Sequence, residues 1–302
     1  TAGSAYLKIA DGCSRACAFC AIPRIKGPAV SRPPDDILAD ARSLAAQGVL
    51  EINLIAQDTT TYGIDLGMTD GLARLMARMA SEVEDVRWIR LLYAYPGCVT
   101  PGLVDVMAGH ARILPYLDIP LQHAHPETLR RMGRPRDVDV IRQSLATLRE
   151  RIPGMTLRTT FLVGFPGETE AEFEALLDFV SDVGFDRIGA FVYSREAGTP
   201  AEPLGDPVPM HVKRERYARL MARQQALSRA ANERWLGQDL EVLIEGVGDG
   251  ISIGRSYRDA PEIDGQVRLL PPEKASKTFK VGEFTRARIV AAEGHDLVAL
   301  PI

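Results

Sequence analysis

Through the longer, first part of the chain, short runs of apolar and β-branched residues alternate with stretches in which apolar positions recur every three to four residues. Residues 6–10 read as a strand leading into a loop. Pro34 then opens a helix with Asp35 and Asp36 at its positive end; Ile37, Leu38, Ala41, Leu44 and Ala45 share one face, and Gly48 is the stop. Residues 51–56 form the next strand, a helix follows near 71–81, and further strands are predicted at 88–95, 117–121, 157–163 and 187–193. Between the last two, Thr169 and Glu172 make a capping box ahead of Phe173, Leu176, Leu177 and Val180, and Gly184 ends that helix. Six strands alternating with helices predict an α/β architecture with a parallel sheet. A full eight-unit barrel needs about 250 residues, more than this pattern occupies, so a partial, TIM-like (βα)6 barrel is expected.

The pattern then changes twice. Gly198-Thr199-Pro200 and the prolines of 203–209 make a turn-rich connector. A helical pattern follows over about 211–235, with seven basic residues (Lys213, Arg214, Arg216, Arg219, Arg223, Arg229, Arg234) against Glu215 and Glu233. Such a helix suits a nucleic-acid backbone and the outside of a barrel about equally. From Gly237 the period shortens to two, with strands predicted at 240–244, 251–256, 266–270, 284–291 and 295–300. Five strands with Gly, Pro and Asp turns predict a small all-β barrel of the OB type, dividing the chain into 1–236 and 237–302. OB-like modules commonly bind nucleic acid, but residues 237–302 hold eleven acids and eight bases, the wrong balance for a phosphate-binding surface. The acidic turn Ala260-Pro261-Glu262-Ile263-Asp264 would better meet a cationic protein.

Composition adds little to this picture: 302 residues, 46% hydrophobic, 25% charged, formal net charge −4, as expected of about two globular domains. No apolar run approaches the roughly 20 residues that span a bilayer, and the first residues lack the pattern of a signal peptide. A reducing, cytoplasmic location without membrane attachment is expected. Because the sequence does not begin with Met, it reads as a portion of a longer protein.

The cysteines carry the chemistry. Three of the four, Cys13, Cys17 and Cys20, fall within eight positions spaced C-x3-C-x2-C. Loops this short strain a disulfide, and an odd thiol would be left over. Three thiolates with no neighbouring His leave a tetrahedral zinc site one ligand short, whereas a cubane iron–sulfur cluster takes three and keeps one iron open. Cys98, alone, reads as a small buried hydrophobe. In a parallel barrel, ligands gather at the carboxyl ends of the strands, where the cysteine loop, Gln57-Asp58-Thr59, Tyr93, Tyr95, Gln122-His123 and residues 164–168 fall. Gln57 faces that mouth on this topology, and Gly164 belongs to a loop suited either to ligand contact or to a tight turn. Arg158 and Thr160 alternate on one side of their strand and are candidates for the ribose or carboxylate of a cofactor. His123 and His125 lack ligand spacing and read as structural.

The cysteine spacing, with aromatic Phe19 just before Cys20, resembles the radical S-adenosylmethionine superfamily. The segments 55–59, 117–124, 160–169, 253–256 and 259–265 make the likeness more specific: they resemble the methylthiotransferase family, in which a radical barrel is joined to a TRAM module. Ala56-Gln57-Asp58 stands where tRNA-modifying members usually carry a Gly-Gln-Asn type segment. The resemblance implies a 4Fe–4S cluster on Cys13, Cys17 and Cys20, S-adenosylmethionine as cofactor with Phe19, Gln57, Arg158, Thr160 and Gly164 as candidate contacts, and an electron donor such as flavodoxin or ferredoxin. It implies transfer of a methylthio group to the β-carbon of an aspartate in ribosomal protein S-twelve of the small subunit, a basic partner for the acidic TRAM module. It also implies an N-terminal domain with three more cysteines and a second cluster; with only Cys98 to spare, this chain is expected to hold one cluster and to cleave S-adenosylmethionine without completing transfer. Three alternatives stay open at this point: a tRNA-adenosine methylthiotransferase of the same family, a radical enzyme of some other reaction, and a nucleic-acid-binding protein with a structural metal.

Overall fold

The computed structural model describes residues 3–248, 250–271 and 279–302. In chain order the elements are β1 (Ser4–Lys8), β2 (Ala10–Asp11), α1 (Ile22–Lys26), β3 (Val30–Ser31), α2 (Pro34–Ala46), β4 (Glu51–Ile55), α3 (Gly71–Glu82), β5 (Trp88–Leu91), α4 (Pro101–Gly109), β6 (Ile113–Asp118), α5 (Pro126–Arg131), α6 (Val138–Arg151), β7 (Thr156–Val163), α7 (Glu170–Val183), β8 (Arg187–Val192), α8 (Met210–Glu233), β9 (Asp239–Val247), β10 (Ser252–Arg255), β11 (Val267–Leu269), β12 (Phe284–Glu293) and β13 (Asp296–Pro301). β1, β4, β5, β6, β7 and β8 pair in that order as a six-stranded parallel sheet, and β10, β11, β13, β12 and β9 close into a separate barrel. Both the partial (βα)6 barrel and the small β-barrel are therefore present.

Alternation along the strands explains the layering. Ile52 and Leu54, Ile89 and Leu91, Leu117, Leu157 and Phe161 point outward and are buried against Ile37, Leu38 and Ala41 of α2, Leu75, Met76 and Met79 of α3, and Phe173, Leu176 and Val180 of α7. Each such side chain contributes about 1.5–3 kcal/mol by leaving water. Their neighbours Glu51, Asn53, Arg90, Asp118 and Arg187 point to the other face and are also buried. The interior of the open barrel is thus polar.

That polar interior is capped at the amino ends of the strands by the second barrel. Glu51 accepts from Arg90 Nε at 2.9 Å and from Arg255 Nη2 at 2.6 Å, and all three side chains are buried. Burial alone would raise the Glu51 carboxyl, but the two guanidiniums hold it below its ordinary value. Arg187 donates to Asp259 at 2.6 Å, Arg158 to Asp264 at 3.3 Å, and Tyr116 Oη to Asp264 at 2.6 Å. Trp88, Leu92, Leu114 and Tyr116 pack with Leu243 and Ala260 around these pairs. The acidic turn expected to meet a cationic protein is divided: Asp264 faces the chain's own Arg158 and Tyr116, while Glu262 is exposed.

Some boundaries differ from the sequence pattern. β5 ends at Leu91 rather than 95, and β6 covers Ile113–Asp118 rather than 117–121. Pro115 has no N–H for the ladder, and the β5–β6 register slips there, Ile89 pairing with Ile113 and Leu91 with Leu117. The capping box of α7 and its left-handed Gly184 form as expected. α8 packs on the barrel: Lys213 Nζ donates to the Tyr193 carbonyl at 2.8 Å, and Arg216 reaches Glu168 at 3.1 Å and Glu170 at 3.2 Å.

Candidate active site

The cysteine loop is clipped at its base by β2 and β3, with Ala10 opposite Ser31 and Asp11 opposite Val30. Gly12 has φ +73°, and a Cβ there would lie 2.1 Å from the Pro28 carbonyl oxygen, so only glycine lets the two ends touch. Cys13 N donates to the Gly27 carbonyl at 3.1 Å and Cys20 N to the Cys17 carbonyl at 3.1 Å. The turn after α5 braces the far side: Ala18 N donates to the Met132 carbonyl at 2.8 Å. Gly133, at φ +65°, is so close that a Cβ would lie 2.4 Å from the Ala16 carbonyl oxygen. Phe19 stacks edge-on against Phe165, which in turn meets Tyr193, anchoring the loop in a small apolar cluster.

All three thiols are free and border one pocket of about 340 Å³ together with Phe19, Gln57, Asp58, Tyr93, Tyr95 and Gln122. The pocket lies at the carboxyl ends of β4, β5 and β6. Cys13 is buried, Cys17 and Cys20 half-buried, and burial pushes the Cys13 and Cys20 thiols up. Among the described residues, no three His, Cys, Asp or Glu side chains converge as a single metal ion would require. Tetrahedral zinc draws its sulfurs within 2.3 Å of one centre, whereas a cubane spreads its thiolates over separate irons. Three thiols ringing a pocket suit the cubane.

Two guanidiniums flank Tyr95. Arg15 lies 3.9 Å from the ring centroid, donates to Asp58 at 2.6 Å, and has Nη2 at 3.1 Å from Cys98 Sγ. Arg134 lies 4.2 Å from the same centroid, donates Nη2 to the Pro120 carbonyl, and places Nη1 3.4 Å from Cys17 Sγ. Asp58 also accepts from Thr60 N at 2.9 Å, so it both caps the turn and neutralises Arg15. Tyr93 and Gln122 both adopt positive φ, at 60° and 73°. A side chain in that region costs roughly 1–2 kcal/mol, and both border the pocket, as strained residues at functional sites often do. Gln122 is held by a bridge to β7, its N–H donating to the Thr160 carbonyl at 2.8 Å.

Of the residues singled out in the sequence, Cys13, Cys17, Cys20, Phe19 and Gln57 line the pocket, and Arg158, Thr160 and Gly164 do not. Arg158 is taken up by Asp118 at 3.0 Å and Asp264 at 3.3 Å, and also donates to Thr160 Oγ1 at 3.3 Å. Gly164 makes the tight turn: φ is +75°, Glu168 accepts its N–H, and a Cβ would lie 2.4 Å from Lys213 Cγ. Cys98 departs from the buried-hydrophobe reading, since it is half-buried beside Arg15. His123 is fully buried, and burial pushes it down to about 3, so it stays neutral; His125 caps α5. Arg15 and Arg134 were missed. Arg15 had a signal, lying between two cysteines, but nothing local in the sequence brings Arg134 to the loop.

Among the described residues, no helix is long and apolar enough to cross a membrane. The family model for the Radical SAM superfamily matches residues 7–180, more than half of the chain, and that for the TRAM domain matches 236–302. A curated relative from Chloroflexus aurantiacus, named ribosomal protein uS12 methylthiotransferase RimO, is 54% identical over 97% of this chain and 64% of its own length. Relatives of the same name from Roseiflexus sp. and Polaromonas naphthalenivorans are 50% and 46% identical, over 98% and 99% of this chain and 63% and 68% of their own lengths. The chain thus spans a little under two thirds of most of these relatives. Among solved structures, coproporphyrinogen III oxidase (HemN) from Escherichia coli, described as a radical SAM enzyme, aligns at TM-score 0.55 and 15% identity over 83% of this chain and 64% of that one. The radical S-adenosylmethionine methyltransferase TsrM from Kitasatospora setae aligns at TM-score 0.55 and 21% identity over 67% of this chain and 39% of that one. At such identities the likeness is one of fold. With the matching family model, the thiols at the mouth and the appended β-barrel, the chain belongs to the Radical SAM superfamily, among its RimO-like, TRAM-bearing members.

Proposed function

We propose that this chain is the radical-generating part of a methylthiotransferase that modifies an aspartate of ribosomal protein S-twelve. The observation that carries the reading is that all three cysteines of the C-x3-C-x2-C loop open onto one pocket at the carboxyl ends of the strands. The relatives that share this chain nearly end to end are named ribosomal protein uS12 methylthiotransferase.

In this reading Cys13, Cys17 and Cys20 hold one 4Fe–4S cluster. When bound, it supplies the electron for reductive cleavage of S-adenosylmethionine, the source of a hydrogen-abstracting radical. The protein's own part is positional. Phe19, fixed on Phe165, and Gln57 border the space for S-adenosylmethionine and keep their assignment as its contacts, while Arg158, Thr160 and Gly164 leave it. The Arg15–Asp58 pair presents a neutralised wall. The apolar lining limits water around a reactive species, and the fixed strand ends set the distance to the substrate carbon. No side chain at the mouth need act as a general base, because hydrogen abstraction does not require one. An electron donor of the flavodoxin or ferredoxin kind completes the assignment, with 1–236 as the catalytic unit and 237–302 as the TRAM domain.

The test is anaerobic cluster reconstitution, reduction with S-adenosylmethionine, and assay of 5′-deoxyadenosine, with Cys17→Ala as control. Product that disappears in the control supports the reading, and a chain that takes up zinc but no iron overturns it. A methylthio mass shift on tRNA rather than on S-twelve, in the full-length protein, would replace the substrate by that of the tRNA-modifying relatives.

A further inference from the structure

Arg15 and Arg134 both pack on Tyr95 in the same pocket, yet their charges are treated differently. Arg15 is neutralised by Asp58 at 2.6 Å. Arg134 has no carboxylate within ion-pair distance among the described residues; its contacts are the Pro120 carbonyl, the Tyr95 ring and Cys17 Sγ, and its buried Nε has no hydrogen-bond partner. Leaving a guanidinium uncompensated in a half-buried site is costly unless an anion meets it. The anion within reach is sulfur: Nη1 is 3.4 Å from Cys17 Sγ. Nor is the placement loose. Arg134 follows Gly133, whose close approach to Ala16 fixes the turn against the cysteine loop, and its own N–H is held by the Leu129 carbonyl at 2.9 Å.

We infer that Arg134 is a positioning residue for the electron-transfer step, donating a charged N–H bond to the Cys17 thiolate and raising the reduction potential of the cluster that this thiolate holds. The inference rests on the cluster assignment above. Reduction adds one electron, drawn from the external donor, to a cluster whose thiolates already carry negative charge, and a fixed cation hydrogen-bonded to one of the sulfurs favours the more negative state. Arg15 cannot substitute, because Asp58 offsets its charge. Both guanidiniums contact the Tyr95 ring, at 3.9 Å and 4.2 Å from its centroid.

The reconstituted chain is poised over a range of potentials with dithionite and redox mediators, and the reduced cluster is followed by electron paramagnetic resonance in wild type, Arg134→Gln and Arg134→Lys. The midpoint potential should fall clearly in Arg134→Gln and lie between the two in Arg134→Lys, which keeps the charge without the planar fork. In parallel, the exchangeable-proton coupling that reduced wild type loses on transfer into deuterated water should be absent from Arg134→Gln. Equal potentials in wild type and Arg134→Gln at equal iron content overturn the inference, as does an unchanged proton coupling. If Arg134→Gln holds no cluster, the decision passes to Arg134→Lys, where a potential equal to that of wild type overturns it. Failure of the wild-type chain itself to take up a cluster would instead overturn the underlying assignment.

Discussion

The two ends of the parallel barrel use the same strands for opposite purposes. At the amino ends, Glu51, Arg90, Arg158 and Arg187 each meet an opposite charge, and all four find a partner in the second barrel: Arg255 for Glu51, the Tyr257 carbonyl for Arg90, Asp264 for Arg158, Asp259 for Arg187. At the carboxyl ends, Tyr93 and Gln122 are held at positive φ, Arg134 meets no carboxylate among the described residues and three thiols stand free. The closed end trades desolvation for charge pairing and gains a fixed floor, while the open end keeps its polar groups available to whatever enters. The TRAM domain is accordingly part of the barrel's construction, with Asp259 and Asp264 pairing within the chain.

Glu51→Gln strikes the floor hardest. It leaves Arg90 and Arg255 facing a neutral amide in a buried site, and a loss of about 3–5 kcal/mol in unfolding free energy is expected, measurable by urea denaturation. A loss below about 1 kcal/mol would mean that water reaches the pair and that the floor is not sealed. Asp118 tests the same region through pH. Burial pushes its carboxyl up from the ordinary 3.8 to about 6, with Arg158 pulling the other way, and its Oδ2 has no hydrogen-bond partner among the described residues. Because the folded form binds its proton more tightly than the unfolded one, this contribution to stability is complete below pH 3.8 and is lost as pH rises through about 6. The shift corresponds to roughly 3 kcal/mol, and Asp118→Asn should flatten that part of the stability curve between pH 4 and 7, as followed by denaturation at fixed temperature.

Effects at the open end should be smaller in stability and larger in cluster binding. Gly133→Ala places a methyl against the Ala16 carbonyl at positive φ, so a loss of about 1–3 kcal/mol is expected, together with reduced iron per chain after reconstitution. An unchanged iron content would show that the loop tolerates displacement of its brace. Gln57→Ala, exposed at the mouth, should leave stability within about 0.5 kcal/mol. Thermal denaturation of this last variant sharpens the comparison, because a large effect would extend the floor's rigidity to the mouth.

Much of this arrangement is legible in the sequence because it is local. The cysteine spacing, the capping box of Thr169 and Glu172, and the period-two strands after Gly237 each follow from residues within a few positions of one another. The strand at Ile113–Asp118 was displaced in the sequence pattern because Pro115 interrupts it; only the neighbouring strands show that the ladder bulges around that residue. Thr100 and Asp137 mark the caps of α4 and α6, signals that were present and passed over. The charge pairing of the floor is not local: Glu51 and Arg255 are 204 positions apart. Its trace was the presence of charged residues inside strands otherwise rich in apolar ones, at Glu51, Arg90, Arg158 and Arg187, which reads as two-sided burial with an ionic interior. Arg134 left no trace of its own, since its role depends on Gly133 bringing one turn against another.

The short clip formed by β2 and β3 has a thermodynamic consequence for the loop that it closes. Joining the two ends of a flexible segment of this length costs on the order of 3 kcal/mol in chain entropy. Here that cost is met by the pairing of Ala10 with Ser31 and of Asp11 with Val30, and by the Ser31 hydroxyl accepting from Gly63 N at 2.9 Å. The chain's own bonds therefore help to shut the ring, unlike small metal-folded domains in which the ion organises the chain. On the cluster assignment proposed above, oxidative loss of the cluster should leave a folded vessel that can be refilled, and repair becomes a matter of reassembling inorganic atoms on three sulfurs rather than of refolding a protein.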